Sequence, residues 1–438
     1  MSATKQYYEI AGCRLCGSSS IETVLELTST PPANNLITED DLGRTPSCYP
    51  LKVCRCADCH HLQLCHVVNP ELLFSNYLYV SQTSPVMLQH LADQAENLSA
   101  RIKESGNNFV IEIGSNDGSL LRYFQRYGFS VLGVDPAQNI AAEAVAAGVP
   151  TVVEFFGEAV GSGLAAEHGR AGLVCANHCF AHIEDIHSVV EGVKHVLDDG
   201  AEFVFEVGYL LDVYQKTLFD TIYHEHLDYH HVEPLVGFFA SHGMSLVHVE
   251  RHDIQGGTLR GFARLGQVEP AASVAEFVAA ERAAGIDRKE TFLRFEASIK
   301  SLSNSLNRLL DDITARGERV YGFGVPAKAT TLMYHFAITK ELVPVIVDDN
   351  PLKQGRYVAG LEIPVTAVQA IVDDKPEYVL ILAWNFADSI IARNQSYLES
   401  GGTFIVPLPT LQLVDRNGTR PWTGTRFGKR RAEKTANC

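Results

Sequence analysis

Hydrophobic and polar positions fall along the chain in blocks that predict strands and helices by turns. Apolar runs bounded by polar residues predict buried strands over 108–113, 130–134, 151–153, 172–176 and 202–207. Upstream of them, a helix is predicted from 87 to 104, because apolar residues recur at the helical spacing of Met87, Leu88, Leu91, Ala95 and Leu98. Strands that alternate with helices in this way are typical of an α/β fold with a largely parallel sheet.

A second series of the same kind runs from about 311 to 410. It predicts a strand over 319–322, a Gly-rich turn, a helix over 327–338, and strands over 343–347 and 377–382. The repeat indicates duplication within the chain. Lys328 lies at the predicted start of its helix, where a cation and the free amide groups could share a diphosphate.

Length and charge narrow the class of protein. A chain of 438 residues exceeds the size of a single core, so two or three domains are expected. The net charge of −16 disfavours nucleic acid and anionic membranes as partners. No apolar run approaches the roughly 18 residues of a membrane span, and Met1–Ile10 does not resemble a signal peptide, so a cytoplasmic location is expected.

The cysteines are concentrated near the N-terminus, where seven of the ten fall within the first 65 residues. Two Cys-x-x-Cys pairs, Cys13 with Cys16 and Cys56 with Cys59, predict a tetrahedral zinc site with four thiolate ligands. The alternative ligands in the same segment are Cys54, Cys65, His60 and His61. Four protein ligands close the coordination sphere, so we expect the zinc to be structural.

The turn after the first strand of the middle region reads Glu112-Ile-Gly-Ser-Asn-Asp-Gly118. Gly114 and Gly118 let the backbone approach a ligand, and Asp135, at the end of the next strand, can bind ribose hydroxyls. Asn116 and the aspartate that follows it would crowd or repel a phosphate, so an adenosyl ligand without phosphates is favoured. Asn177 and His182 follow the fourth strand, on the side where ligands bind.

Residues 221–226 read Thr-Ile-Tyr-His-Glu-His and place a phenol, a carboxylate and an imidazole within four positions. These groups can remove a proton and manage the charge left behind. His226 is the candidate base, with Tyr223 and Glu225 beside it.

These motifs resemble those of the sugar C-methyltransferase family, in which S-adenosylmethionine is the methyl donor and the substrate is a nucleotide-linked deoxyketosugar. The resemblance rests on the Cys pairs, 112–118, Phe219–His226, Gly256–Arg260 and Trp384-Asn385-Phe386. It implies that His226 is the base, that His182 lies in the pocket, and that Tyr77 or Tyr79 lines the site, with Tyr79 favoured. It also implies that the C-terminal half helps to hold the nucleotide sugar. The sequence departs from the family pattern at Val207-Gly208-Tyr209, at His230 and His231, and in the loop 322–328.

Together these observations predict a C-methyltransferase that acts next to the keto group of a nucleotide-linked 4-ketodeoxysugar, with dTDP as the expected nucleotide. His226 removes a proton, and Tyr223 or His182 stabilises the enolate. Glu112, Gly114, Asn116, Gly118, Asp135 and Asn177 are the predicted cofactor contacts, and Arg260, Lys328 and Tyr209 the predicted substrate contacts. The alternatives are an NAD-dependent nucleotide-sugar epimerase or reductase and a non-enzymatic zinc adaptor.

The predicted organisation has five parts. They are a zinc-binding module (8–75), a class I methyltransferase Rossmann-like domain (76–270), a helical linker (271–310), a C-terminal Rossmann-like domain (311–410) and a basic tail (411–438). A monomer or a homodimer is expected.

Overall fold

A computed structural model describes residues 6–74, 85–103, 106–422 and 424 of the chain. The chain forms two compact units. The first consists of the described residues of Met1–Thr23, Val53–Asp212 and His226–Lys289, and the second of those of Val24–Lys52, Val213–Glu225 and Glu290–Cys438.

The first unit contains a mixed sheet that, within the described residues, has seven strands. The order of the strands across the sheet is Met244–His252, Thr258–Leu265, Leu197–Gly208, Ala171–Asn177, Phe109–Ile113, Ser130–Val134 and Thr151–Val152. The last five of these are parallel, and Thr258–Leu265 is antiparallel to both of its neighbours. Numbered along the chain, the order is 3-2-1-4-5-7-6 when read from the opposite edge. The predicted parallel sheet is therefore present, with an antiparallel strand inserted near one edge.

Helices flank this sheet because one face of each is apolar. The helix Pro85–Lys103 buries Met87, Leu91, Ala95 and Leu98, as the sequence pattern predicted, in the same core cluster as Val110 and Leu173 of the sheet. The other helices with residues in this unit are Pro70–Phe74, Ser119–Arg126, Gln138–Ala146, Glu158–His168, Ile186–Val196, Leu210–Gln215, Val232–Ser241 and Ala272–Ala284. A one-turn 3-10 helix covers Phe180–His182.

The N-terminal segment forms small sheets beside the cysteine pairs. Tyr7–Glu9 pairs with His66–Val68, and the strand Leu62–Leu64 is antiparallel to both Asp228–Tyr229 and Tyr49–Cys56. Ile21–Thr30 lies on the far side of Tyr49–Cys56. The pairing of Leu62–Leu64 with Asp228–Tyr229 ties the cysteine-rich segment to the residues that follow His226.

The second unit contains another mixed sheet, again with seven strands in the part of the chain that is described. Its order is Val365–Thr366, Ile346–Val347, Val320–Phe323, Tyr378–Ile381, Thr403–Val406, Gln412–Asp415 and Gly418–Pro421. The first five strands are parallel and the last two antiparallel, so the order along the chain is 3-2-1-4-5-6-7. The five parallel strands follow the same order in both sheets, whereas the order of the two remaining strands differs.

The remaining elements of this unit surround that sheet. They are the helices Lys289–Ala315, Ala327–His335, Ala370–Asp373, Ala387–Arg393 and Gln395–Glu399, the 3-10 helices Glu39–Asp41, Phe219–Thr221 and Trp384–Phe386, and the paired strands Leu36–Ile37 and Tyr357–Val358.

Two elements of the second unit are shorter than the sequence predicted. The strand expected over 343–347 covers only Ile346–Val347, because Pro344 lacks the N–H that a central strand needs. The helix expected to reach 338 ends at His335, where Ala337 adopts a left-handed backbone with φ 51°. None of the described helices combines the length and the apolar character needed to cross a membrane.

Candidate active site and zinc centre

The four cysteines of the two predicted pairs come together. The sulfur atoms of Cys13, Cys16, Cys56 and Cys59 all lie within 4.8 Å of one another. Cys13 Sγ is 3.5 Å from Cys59 Sγ, and Cys16 Sγ is 3.6 Å from Cys56 Sγ. Zinc–sulfur bonds of about 2.3 Å in a tetrahedron place the sulfurs roughly 3.8 Å apart, so this donor set fits zinc. In the described ranges, no second group of three or more His, Cys, Asp or Glu ligands is assembled in this way.

The turn between Phe109–Ile113 and the helix Ser119–Arg126 requires glycine at two positions. Gly114 has φ 66° and Gly118 has φ 72°, a left-handed region that glycine adopts without strain. A Cβ at Gly114 would lie 2.6 Å from Cys179 Cβ, and one at Gly118 would lie 2.8 Å from Val149 Cγ2. Both glycines therefore let the turn pack directly against its neighbours at the carboxyl end of the sheet.

Asp135 closes this turn from the end of the adjacent strand. Its carboxylate accepts hydrogen bonds from the backbone N–H of Asn116, at 2.8 Å, and of Ala137, at 2.9 Å. Burial raises the pKa of Asp135, and these two bonds oppose the rise. The two bonds fix the orientation of the carboxylate at the carboxyl end of its strand.

Glu112 lies beneath the same turn and carries an unsatisfied oxygen. Its side chain is buried, and Oε2 has no hydrogen-bond partner. Burial raises the pKa of Glu112 well above its ordinary value, the nearby amide of Asn177 opposes the rise, and the charges of Asp117 and Asp135 add to it. A cluster of carboxyl groups with an unpaired acceptor fits a ligand that carries positive charge, as S-adenosylmethionine does on its sulfur and its amino group.

Asn177 ends the strand Ala171–Asn177, and its Oδ1 accepts a hydrogen bond of 3.0 Å from Gln94 Nε2. The structure thus brings Glu112, Asn116, Asp135 and Asn177 to the carboxyl ends of three adjacent parallel strands.

His182 and His226 are adjacent in the first unit. Their rings are stacked, with centroids 4.9 Å apart and planes inclined by 28°. Burial, together with the charges of His226 and His178, lowers the pKa of His182 well below its ordinary value, so His182 is neutral near pH 7. The backbone N–H of Leu227 donates to the carbonyl of Ala181 at 2.9 Å, which fixes the two histidine-bearing segments side by side.

Tyr223 and Glu225 belong to the second unit, in the segment that runs from the 3-10 helix Phe219–Thr221 towards His226. Glu225 is buried and Tyr223 half-buried. Thr331 Oγ1 donates to the carbonyl of Ile222 at 2.8 Å, so the residue before Tyr223 is held by the C-terminal half. Tyr79, the remaining predicted catalytic residue, and Tyr77 lie outside the described residues.

The three predicted substrate contacts already have partners inside the protein. Arg260 is buried and pairs with Glu206, at 2.7 Å from Nη2 to Oε2. The hydroxyl of Tyr209 donates to Glu281 Oε1 at 2.9 Å. Lys328 Nζ lies 4.5 Å from the ring centroid of Trp384. Their roles as substrate contacts remain predictions.

Several polar residues close to these sites were not singled out from the sequence. Asp228 is fully buried and pairs with Arg14 and His61. Asp220 is also fully buried and accepts a hydrogen bond of 2.5 Å from Trp384 Nε1. Their proximity in the chain to His226 was the one available signal, because partners that are more than 150 residues away cannot be read from local spacing.

Comparison with known families identifies the class of protein. Residues 13–74 match a family described as a putative zinc binding domain, 87–249 a methyltransferase domain, and 253–409 a C-methyltransferase C-terminal domain. The chain is also 36% identical over 411 residues to the C-methyltransferase NovU of Streptomyces niveus, covering 93% of this chain and 97% of that protein. The chain belongs to this C-methyltransferase family.

Family membership and the Cys cluster confirm the predicted family, the fold class and the two cofactors, S-adenosylmethionine and zinc. The predicted domain boundaries and the roles of individual site residues remain predictions.

Among solved structures, the magnesium protoporphyrin IX methyltransferase ChlM of Synechocystis PCC 6803 with bound SAM is 14% identical, with a TM-score of 0.31 over 44% of this chain and 86% of that chain. The plantazolicin methyltransferase BpumL, in complex with a triazolic analog and SAH, is 10% identical, with a TM-score of 0.33 over 43% of this chain and 88% of that chain.

Proposed function

We propose that the protein transfers the methyl group of S-adenosylmethionine to the carbon next to the keto group of a nucleotide-linked 4-ketodeoxysugar, with dTDP as the nucleotide. The observation that carries the proposal is the stacked pair of His182 and His226, located in the same unit as a glycine turn lined with carboxyl groups. Methyl transfer to carbon needs a base for the substrate proton and a site for a cationic donor. In this proposal the histidine pair supplies the base, and the glycine turn supplies the site for the donor.

The turn at Gly114 favours a sulfonium ligand over a dinucleotide. Asp117 and Asp135 bring negative charge next to Glu112, which would repel a pyrophosphate. The buried, unpaired Oε2 of Glu112 would instead be satisfied by an ammonium or lie near a sulfonium. The charge of the site therefore argues against the NAD-dependent alternative.

His226 is the proposed base. The keto group acidifies the proton on the adjacent carbon, and the imidazole accepts that proton as the C–H electron pair moves into the enolate. S-adenosylmethionine supplies the electrophilic methyl group when it is bound. The neutral ring of His182 places no positive charge against His226. Tyr223 or His182 would donate a hydrogen bond to the enolate oxygen.

The second unit contains a turn of related design. Val325 N–H donates to Asp348 Oδ2 and Asn350 N–H to Oδ1, each at 2.8 Å, as Asn116 and Ala137 do to Asp135. Gly324, which begins this turn, has φ 80°.

The difference between the turns supports a different ligand for each. Two residues before Gly114 the chain has Glu112, whereas two residues before Gly324 it has Gly322. A Cβ at Gly322 would lie 2.8 Å from Ile346 Cγ1, so no acidic side chain fits there. The second turn thus has a carboxylate suited to ribose and lacks the buried acid that disfavours phosphate. This combination supports the nucleotide of the substrate as the ligand of the second turn. Lys328 lies four residues after Gly324 in the chain, and Lys353 Nζ lies 3.7 Å from Asp348 Oδ2.

The test is to incubate the protein with S-adenosylmethionine and a panel of nucleotide-linked 4-ketosugars and to follow the sugars by mass spectrometry. We expect one of them to gain a CH2 unit, and His226→Ala to slow the gain by roughly 10²- to 10⁴-fold. Calorimetric titration should detect binding of S-adenosylhomocysteine and not of NAD. Binding of NAD, with reduction or epimerisation of the sugar, would favour the oxidoreductase instead.

A further inference from the structure

Arg14 lies between Cys13 and Cys16 of the first Cys pair, and the hydrogen bonds of its side chain go to residues outside the cysteine-rich segment. The guanidinium is buried, with 7% of the side chain exposed, against a fully buried Asp228. Arg14 Nε is 3.2 Å from each carboxylate oxygen of Asp228. Arg14 Nη2 donates to the carbonyls of Ile183, at 2.5 Å, and Glu184, at 2.6 Å.

The partners of Arg14 lie on the two segments that bear the stacked histidines. Ile183 directly follows His182, and Asp228 comes two residues after His226. One planar guanidinium therefore fixes both segments at once. A planar fork with five N–H donors can hold both segments in a fixed geometry, whereas the three donors of an ammonium diverge from one atom and match this arrangement less well.

The same network is continuous with the zinc-bearing sheet. Arg14 N–H donates to Gln63 Oε1 at 2.8 Å, and His61 Nε2 is 2.9 Å from Asp228 Oδ1. The backbone N–H of Leu64 donates to the carbonyl of Leu227 at 2.8 Å. The segment after His226 is thus held from two sides. The strand that contains Gln63 bonds to the carbonyl of Leu227, and Ala181 accepts a bond from the N–H of Leu227.

We propose that Arg14 is a positioning residue for the methyl transfer: it sets the placement of His182 and His226 and thereby couples the zinc knuckle to the proton-transfer step. The inference rests on the proposed function, since it assigns Arg14 a part in that reaction. Arg14 touches neither ligand in this scheme. Its effect comes from geometry, because a displacement of about 1 Å in a catalytic group can lower the rate roughly 10²-fold.

Arg55 provides a matched control. It is a buried arginine in the same module, immediately before the zinc ligand Cys56, as Arg14 is immediately after Cys13. Its guanidinium is directed elsewhere, to Glu22 at 3.4 Å and to the carbonyl of Asp287. Removal of either arginine takes a buried charge from the zinc module, but only Arg14 contacts the histidine segments.

The experiment compares Arg14→Gln and Arg55→Gln with the wild type, each assayed for zinc content, S-adenosylhomocysteine affinity and steady-state kinetics. We expect zinc-loaded Arg14→Gln to lose kcat by roughly 10- to 100-fold while KM changes by less than about threefold, and Arg55→Gln to retain kcat. Arg14→Lys, which keeps the charge but not the fork, should lie between Arg14→Gln and the wild type. An equal loss of kcat in Arg55→Gln would overturn the proposal.

Arg14→Lys decides the question if Arg14→Gln fails to fold or to retain zinc. A zinc-loaded Arg14→Lys protein with the kcat of the wild type would overturn the positioning role.

A second readout does not depend on turnover. In protein labelled with 15N-histidine, the ring signals of His182 and His226 should shift in the Arg14 variants and stay in place in Arg55→Gln. If the wild type methylates no ketosugar, the proposed function fails, yet these spectra still test the positioning role. Unchanged His182 and His226 signals in zinc-loaded Arg14→Gln would then refute it.

Discussion

The imidazole rings of His182 and His226 lie one over the other, with 4.9 Å between their centroids. Two stacked rings at this distance disfavour simultaneous protonation, because each positive charge raises the energy of the other. The pKa of His182, lowered chiefly by burial, lies well below its ordinary value. The ring of His182 is therefore kept neutral, which leaves His226 as the proposed acceptor of the substrate proton.

His226→Ala should bind both ligands and lose turnover by roughly 10²- to 10⁴-fold, the usual contribution of a general base. The same substitution should also remove proton exchange. In deuterated water with S-adenosylhomocysteine in place of the methyl donor, the wild type should exchange the proton next to the ketone and the variant should not. Mass spectrometry of the recovered sugar measures both effects.

Tyr223→Phe tests whether the phenol of Tyr223 stabilises the enolate. It should slow exchange and methylation in parallel, because the same anion lies on both paths. If His226→Ala methylates at a rate close to that of the wild type, the base is another group, and His182 becomes the first candidate.

Asp135→Ala should weaken S-adenosylmethionine binding by about 1.5–3 kcal/mol, the usual value of a charge-assisted hydrogen bond. The matched variant is Asp348→Ala, since each carboxylate accepts two backbone N–H bonds of 2.8–2.9 Å in its own turn. Asp348→Ala should leave the affinity for the cofactor unchanged and should weaken binding of the nucleotide sugar instead. Calorimetry with each ligand distinguishes the two, and equal effects of both variants on the cofactor would contradict the assignment.

Zinc analysis should find about one metal ion per chain in the wild type, and Cys59→Ser should lower both the zinc content and the unfolding temperature, because a thiolate ligand is lost. Cys54→Ala is the control, because Cys54 is a buried cysteine of the same segment outside the four-sulfur cluster. It should retain the full zinc content. A metal-free protein that stays folded and active would show that the metal is dispensable.

Asp220 makes the stability of the protein depend on pH. Burial raises its pKa from 3.8 to about 6, although Lys328 and the hydrogen bond from Trp384 lower it. The folded state thus binds the proton more tightly than the unfolded state. The stabilisation is complete below about pH 4 and is lost as the pH rises through about 6.

Because a shift of one pKa unit corresponds to about 1.4 kcal/mol, the rise from 3.8 to about 6 is equivalent to about 3 kcal/mol. Asp220→Asn should lack this part of the pH dependence. Urea unfolding of both proteins from about pH 4 to pH 7 gives the difference, which should favour the variant increasingly as the pH rises. A difference that is constant over this range would contradict the prediction.

The parallel strands and the helix Pro85–Lys103 were predictable because their apolar spacing reflects burial directly. The cysteine ligands and the turn at Gly114 were predictable as well, since both motifs are contiguous in the sequence. The network of Arg14 was not, because Arg14 and Asp228 are 214 positions apart and the Cys-x-x-Cys spacing specifies the cysteines and not the residues between them. Likewise, nothing local indicated that Arg260 is engaged by Glu206, a pairing that requires the antiparallel register of two strands.

The different order of the last two strands in the two sheets limits how far the halves of this protein can be interchanged. In the first sheet the final strand is inserted beside Leu197–Gly208, and this register brings Arg260 opposite Glu206. In the second sheet, the strand beside Thr403–Val406 is Gln412–Asp415, which follows it through a short hairpin. This register brings Gln412 opposite Val406. A chimaera that grafted the second closing hairpin onto the first sheet would preserve every parallel strand and yet remove Arg260 from the buried carboxylate of Glu206.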